Sequence, residues 1–318
     1  MVERVRRSFS GLLFIVRDPM PIYSAYGFPF DSELALPELF ESGSATPQIT
    51  LRLGSLPYAE SQLARVVYRP LTASDVLVQY QGVGTALVRS GSEITLDASS
   101  NVDPLTLRLF VFQQVMGVAL LQKGRFVLHA SAAVVKGRAV AFAGASGEGK
   151  STMTAALNHL GWPALTDDVL AIDLTDPERP KALPGLLQLK LTEEARSQIA
   201  PDILAEQTIG DKVTKKLCAV RGTPVHDAVP LDSIYFLVTG DSVRFQDAPP
   251  AKAAIELVRQ TYGSKLLHAI GLSARHFEQC AALARSVAIR VMTRPRDLKL
   301  LPEITAGVVE RVRPQPLS

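Results

Sequence analysis

Eight residues constrain this chain more than any others: Gly144-Ala145-Ser146-Gly147-Glu148-Gly149-Lys150-Ser151. They fit the pattern G-x-x-x-x-G-K-[ST] at every fixed position. Before them, Arg138-Ala139-Val140-Ala141-Phe142-Ala143 is short, apolar and free of turn residues, as a strand is. After them, Thr152 to Leu160 carries Met153, Ala156, Leu157 and Leu160 at helical spacing, and Gly161 closes the run. In a strand, glycine loop, helix unit the glycines let backbone N–H groups approach phosphate oxygens, and the helix N-terminus adds partial positive charge. The sequence therefore predicts a nucleoside triphosphate site over Gly144–Thr152. Lys150 is expected to reach the outer phosphates and Ser151 to ligate Mg²⁺.

Composition narrows the classes. The chain has 318 residues, 47% hydrophobic and 20% charged, enough for a sizeable core in one large or two medium domains. A net charge of +3 is too mild to argue for nucleic acid or an anionic membrane. Two cysteines, Cys218 and Cys280, make neither a disulfide framework nor a metal site and read as small buried apolar residues. The basic start followed by Phe9–Val16 lacks a small-residue cleavage site and reads as a first strand rather than a signal peptide. The uncharged run Leu109–Gln122 is too short to cross a bilayer. The expectation is a cytoplasmic protein without a membrane or nucleic-acid partner.

Up to about Ser100 the pattern is one of short alternating runs. Gln48–Leu53, Arg65–Tyr68, Val76–Tyr80, Ala86–Arg89 and Glu93–Leu96 read as strands between Gly, Pro, Ser and Asn clusters. Residues 1–102 are thus expected to form a small β-rich N-terminal domain, with 103–318 as the catalytic domain. Asp103-Pro104 opens a helix, and its apolar length to about Lys123 predicts burial between the two halves. Lys136-Gly137 predicts a hairpin turn that places His129 on the strand beside the one feeding the loop. Beyond the loop helix, Pro163–Asp173 reads as a single strand with Asp167 and Asp168 embedded in it. Adjacent charges in an apolar strand are costly unless they face something that needs them. Mg²⁺ and a hydroxyl that loses its proton both qualify. Further on, Gly210–Val220, with Lys212, Lys215 and Lys216, reads as a basic loop or edge strand, and Pro295–Val312 as a helical region broken at Pro302.

Asp167 and Asp168 lie seventeen and eighteen residues beyond Lys150, close enough for one helix and one strand to position them. One can accept a proton from an attacking hydroxyl while its neighbour holds Mg²⁺. Here the chain resembles the catalytic domain of HPr kinase/phosphorylase and, more closely, the short HPr-kinase-like tailoring kinases of lasso peptide biosynthesis. The likeness rests on His129 twenty-one residues before Lys150, the loop, the acid pair at its spacing, and the hydrophobic strand around each. Thr293-Arg294-Pro295-Arg296-Asp297-Leu298, Tyr26-Gly27-Phe28 and Leu34–Leu39 also look like the shorter relatives.

The resemblance implies an α/β fold with a P-loop catalytic domain of the HPr-kinase/PEP-carboxykinase type. It implies ATP and Mg²⁺ as cofactors and a serine on a peptide or small protein as acceptor, including the C-terminal serine of a lasso precursor. Residue by residue, Lys150 would contact the β- and γ-phosphates and Ser151 would ligate Mg²⁺. Asp168 would be the general base, Asp167 would assist with metal, and His129 would stand near the transferred phosphate. The family's glutamate-bearing metal segment is replaced by Leu183–Lys190, and its long signature loop is not evident, which points away from HPr as acceptor. A homo-oligomer stays open, since no feature fixes a subunit count. Two other readings stand beside the serine kinase: a nucleotide-sensing assembly module without transfer, and a small-molecule kinase. Taken alone, His129 would read as a core histidine on an apolar strand.

Overall fold

Lys136 and Gly137 take φ of 51° and 74°, the backbone of a tight two-residue hairpin. The strand Ala130–Val135 therefore folds back antiparallel on Arg138–Ala143, with Val135 opposite Arg138 and Ala130 opposite Ala143. This hairpin lies at the heart of a nine-stranded sheet. On one side Ala130–Val135 pairs with Ala164–Thr166; on the other, Arg138–Ala143 runs parallel to Val229–Thr239. That long strand runs parallel in turn to Ala288–Arg294, which pairs antiparallel with Arg244–Asp247. Lys181–Ala182, Leu170–Asp173 and Phe126–Leu128 extend from the start of Val229–Thr239. The structure, a computed structural model, describes residues 3–9, 12–17, 21–43, 46–59, 62–63, 65–199, 205–209 and 215–314.

Side-chain alternation along the hairpin feeds two cores. Ala130, Ala132, Ala139, Ala141 and Ala143 pack with Ala253, Leu257, Cys280 and Leu283 of the helices Pro250–Gln260 and Ser273–Ser286. Ala133, Val135, Val140 and Phe142 pack with Met153 and Leu157 of the loop helix Lys150–His159 and with Ile304 and Val308 of Leu301–Arg311. Helices on both faces of a partly parallel sheet make this a layered α/β unit. A separate three-stranded sheet of Gln188–Thr192, Lys215–Ala219 and Ala205–Ile209 belongs to the same unit.

The chain divides into two compact units, 1–125 with 263–274, and 126–262 with 275–318. The first is built on an eight-stranded sheet in which Ile49–Leu53, Asp75–Tyr80, Gly84–Arg89 and Glu93–Ala98 cover most of the expected strands. Its boundary falls after the helix that starts at Pro104, not at 102/103. The reason is bonding back to earlier residues of the unit: Gln122 joins Gly91 N and Ser74 O, each at 2.8 Å, and Arg108 pairs with Glu38 at 2.7 Å. Asp103 caps this helix by accepting from Thr106 N at 2.8 Å. Among the described residues Pro104–Gln122 is the one helix long and apolar enough to cross a membrane, and most of it is buried.

Four further expectations need correction. Pro163–Asp173 is two strands, broken at Asp167 and Asp168. Lys215–Ala219 is the middle strand of its small sheet, not an edge, while Lys212 lies outside the described residues. Pro302 does not break the last helix but stands in its first turn, where a missing N–H costs nothing. Phe9–Val16 is not one strand: Glu3–Phe9 pairs antiparallel with Leu12–Arg17, and Ser10 and Gly11 lie outside the described residues.

Candidate active site

Register alone collects the predicted residues at one edge of the second unit's sheet. Ala143, the last residue before the loop, is level with Ala130 on one neighbour and with Phe236 on the other. His129 and Ser131 therefore flank the loop from the antiparallel side. Thr166 is opposite Ala132, so the chain leaves that strand at the same edge with Asp167 and Asp168. Thr239 and Arg294, opposite each other, end the two parallel strands there. The carboxyl ends of parallel strands are where sheets of this kind bind ligands.

Within the loop, Gly149 takes φ +82° and stands immediately before the helix Lys150–His159. No other residue type is comfortable there, and a Cβ would lie 2.3 Å from Arg294 Nη2. Ala145, Ser146 and Gly147 form the exposed rim, while Lys150 is only 6% exposed. The Lys150 ammonium donates to Gly144 O at 2.9 Å and Ala145 O at 3.3 Å. Burial pulls its pKa below the ordinary lysine value, against the opposing charges of Asp168 and Asp167. Glu148 is gripped from outside: Thr239 Oγ1 donates to it at 2.8 Å and Arg296 Nη2 at 2.8 Å. Burial works upward on Glu148, but those two hydrogen bonds outweigh it and hold its carboxyl below the usual range. Thr152 continues the helix behind Ser151 and is half-buried.

Opposite the loop, the strand breaks at the acids because the backbone turns sharply. Val169 N donates to Asp167 O at 2.8 Å across Asp168, whose φ is +63°. Such a three-residue turn is strained for a residue with a Cβ. Three contacts hold the region: that bond, Thr166 Oγ1 to Val169 O at 2.7 Å, and His129 Nδ1 to Asp168 O at 3.0 Å. The turn lets the two acids have different surroundings, which a straight strand would not. Asp167 is 4% exposed and accepts from Ser151 Oγ at 2.9 Å, from Lys190 N at 3.1 Å, and from Ser131 Oγ. Burial, then the neighbouring Asp168 charge, push its pKa up. Asp168 is more open and pairs with the Lys190 ammonium. Burial pushes Asp168 upward too, but the charge and hydrogen bond of Lys190 outweigh it, with help from the Lys150 charge, and the carboxyl is held low. Burial first, then the Lys150 charge, lower the pKa of His129, which keeps the ring neutral.

So the structure brings together Gly144–Thr152, His129, Asp167 and Asp168. It adds three residues that the sequence reading did not assign. His129 is not on a strand as expected but in the break between Phe126–Leu128 and Ala130–Val135; Ser131, two residues beyond it and within Ala130–Val135, carried a period-two signal. Lys190 sits in Gln188-Leu189-Lys190-Leu191-Thr192, where polar and apolar residues alternate, and that alternation could have marked it. Arg294 stands in the sequence only within the segment Thr293–Leu298 that carries the resemblance, with no pattern that marks it for the loop. His276 is elsewhere: buried, bonded to Thr261 Oγ1 at 2.7 Å, and stacked on Phe126 at 4.9 Å between ring centroids.

For a hard cation, Ser151 Oγ and the Asp167 carboxylate offer adjacent oxygen donors. Among the described residues no group of three or more His, Cys, Asp or Glu side chains gathers for a metal. That sparse set fits Mg²⁺, which uses one or two protein oxygens and completes its shell with phosphate and water.

No protein-family profile matches the chain, and no curated protein matches it. Among solved structures the chain is similar to the HPr(Ser) kinase/phosphatase from Coxiella burnetii. The similarity covers 58% of this chain and 94% of that one, at 12% identity and a TM-score of 0.31. A likeness of that size carries no argument about chemistry, which has to come from the residues themselves.

Proposed function

We propose that this protein is a kinase that transfers the γ-phosphate of ATP to a hydroxyl, with a serine of a peptide or small protein as acceptor. The observation that carries the reading is the 2.9 Å contact between Ser151 Oγ and Asp167. It joins the first turn of the loop helix to the acid pair, so one triphosphate tail can meet both.

In this reading the loop amides and Lys150 bind and orient the phosphates. Ser151 and Asp167 would hold Mg²⁺, whose chemistry would be to neutralise phosphate charge. Asp168 takes the proton of the acceptor hydroxyl. The hydroxyl oxygen forms a bond to the γ-phosphorus, the bond from that phosphorus to the bridging oxygen breaks, and ADP carries away the electron pair. Neutral His129 bonds the Asp168 carbonyl and so fixes the turn that presents the base. Positioning and charge neutralisation supply most of the rate, since the transition state is loose and anionic.

The resemblance of the short segments supports the C-terminal serine of a lasso precursor peptide as the acceptor and the cytoplasm as the location. The test is incubation with labelled ATP, Mg²⁺ and serine-terminated peptides, with phosphoserine located by mass spectrometry. Label on serine is expected, and ATP binding without label on any hydroxyl overturns the kinase reading. A second reading has one observation in its favour: Lys190 occupies Asp168, as it would in a nucleotide sensor that transfers nothing. That reading predicts tight binding and no acceptor-dependent release of ADP.

A further inference from the structure

Arg294 ends the strand Ala288–Arg294, next to the phosphate loop, and is only 7% exposed. One Nη donates to the carbonyl of Glu148 and the other to Pro295 O at 3.3 Å. Its Nε is buried without a partner. A buried guanidinium with an unpartnered donor costs more than an apolar side chain of the same volume. Core packing alone is therefore a poor account of it.

The carbonyl it holds gives a better one. In a trans peptide the C=O and the following N–H point in opposite directions. Fixing Glu148 C=O toward Arg294 turns the Gly149 N–H the other way, into the loop. That N–H stands at the start of a helix, where amides have no partner within the helix and serve anions. The guanidinium also places a positive charge directly behind that peptide. Arg296 and Thr239 hold the Glu148 side chain and stop the same residue from rotating.

We propose that Arg294 is a positioning residue for the phosphate cradle, acting through the Glu148–Gly149 peptide to aim the Gly149 N–H at a bound triphosphate. This deepens the proposed function and rests on its reading of the loop as a triphosphate site.

The test uses the full chain with magnesium–ATP as probe, measuring affinity by calorimetry and the Gly149 amide by ¹⁵N NMR. Arg294→Met is expected to weaken binding by about tenfold, the size of one charge-assisted hydrogen bond. Its Gly149 resonance, shifted by nucleotide in the wild type, should stay near its free position even at saturation. Arg294→Lys, which keeps the charge but not the fork, should fall between the two. A folded Arg294→Met protein with wild-type affinity and a wild-type Gly149 shift overturns the proposal. If that variant does not fold, Arg294→Lys decides alone, and unchanged affinity there overturns it. Wild-type protein that binds ATP but phosphorylates nothing sinks the kinase reading and leaves Arg294 to be judged on affinity. Wild-type protein that binds no ATP sinks both.

Discussion

The glycine loop and the acid turn lie at the same end of the sheet, on strands separated by Ala130–Val135, and both depend on left-handed backbone, but they reach it by opposite means. At the loop, Gly149 adopts φ +82° with no side chain to object. At the turn, Asp168 adopts φ +63° with a Cβ, at a cost of about 1–2 kcal/mol. The loop is relaxed and its surroundings lean on it; the turn is strained and its surroundings hold it down. Strain of that kind persists where a side chain is needed at a place the backbone would rather leave. Glycine would relieve it but would remove the carboxylate.

Removing the carboxylate's charge is the sharpest way to break this comparison. Asp168→Asn tolerates the same backbone, so ATP affinity should stay near wild type while transfer falls by about 10²–10⁴-fold. Single-turnover labelling beside calorimetry reads both. On the loop side, Gly149→Ala meets both the positive φ and the 2.3 Å approach of Arg294 Nη2. It should lower ATP affinity by at least about tenfold and the melting temperature with it, since backbone and arginine must both shift. The strain itself is read by a pair of variants. Asp168→Ala should be less stable than Asp168→Gly by about 1 kcal/mol in denaturant unfolding, because only alanine carries the left-handed penalty. Equal stabilities would mean that the turn relaxes.

Acid sensitivity needs a control remote from both regions. His276 has its pKa lowered by burial to about 4, against an unfolded value near 6.5. The unfolded chain therefore takes up a proton first as pH falls. Stability is full above pH 6.5 and drops by about 3 kcal/mol on the way to pH 4. His276→Gln should flatten that slope in urea titrations while leaving transfer at neutral pH intact. The smallest effect belongs to the exposed arm of the clasp. Arg296→Ala should change stability by less than about 1 kcal/mol, since its side chain is 63% exposed.

The contrast also explains what could be read in the sequence. The loop is legible because its backbone demands glycine at fixed positions, and glycine is visible as a letter. The hairpin was legible at Lys136-Gly137 for the same reason, and the helix start at Asp103-Pro104 because capping is local chemistry. The turn was not, since aspartate at positive φ looks like aspartate in a strand until the bond from Val169 N to Asp167 O is seen. Lys190 was missed because its partner lies twenty-two residues earlier and the pairing depends on a second small sheet. The unit boundary was misplaced because long-range bonds from Gln122 and Arg108, not composition, decide to which unit the helix belongs. Helices Pro250–Gln260 and Ser264–Ala269 went unassigned: neither has a side-chain cap, and the proline in the first turn of the longer one was its one start signal.

The decisive geometry is where the acids lie once a triphosphate is bound. A crystal structure with Mg²⁺ and a non-hydrolysable ATP analogue measures that. It should place the metal on Ser151 and Asp167, with an Asp168 carboxylate oxygen within hydrogen-bond reach of a hydroxyl in line with the γ-phosphate. A γ-phosphate seated in the loop with Asp168 still turned to Lys190 and out of reach would contradict it.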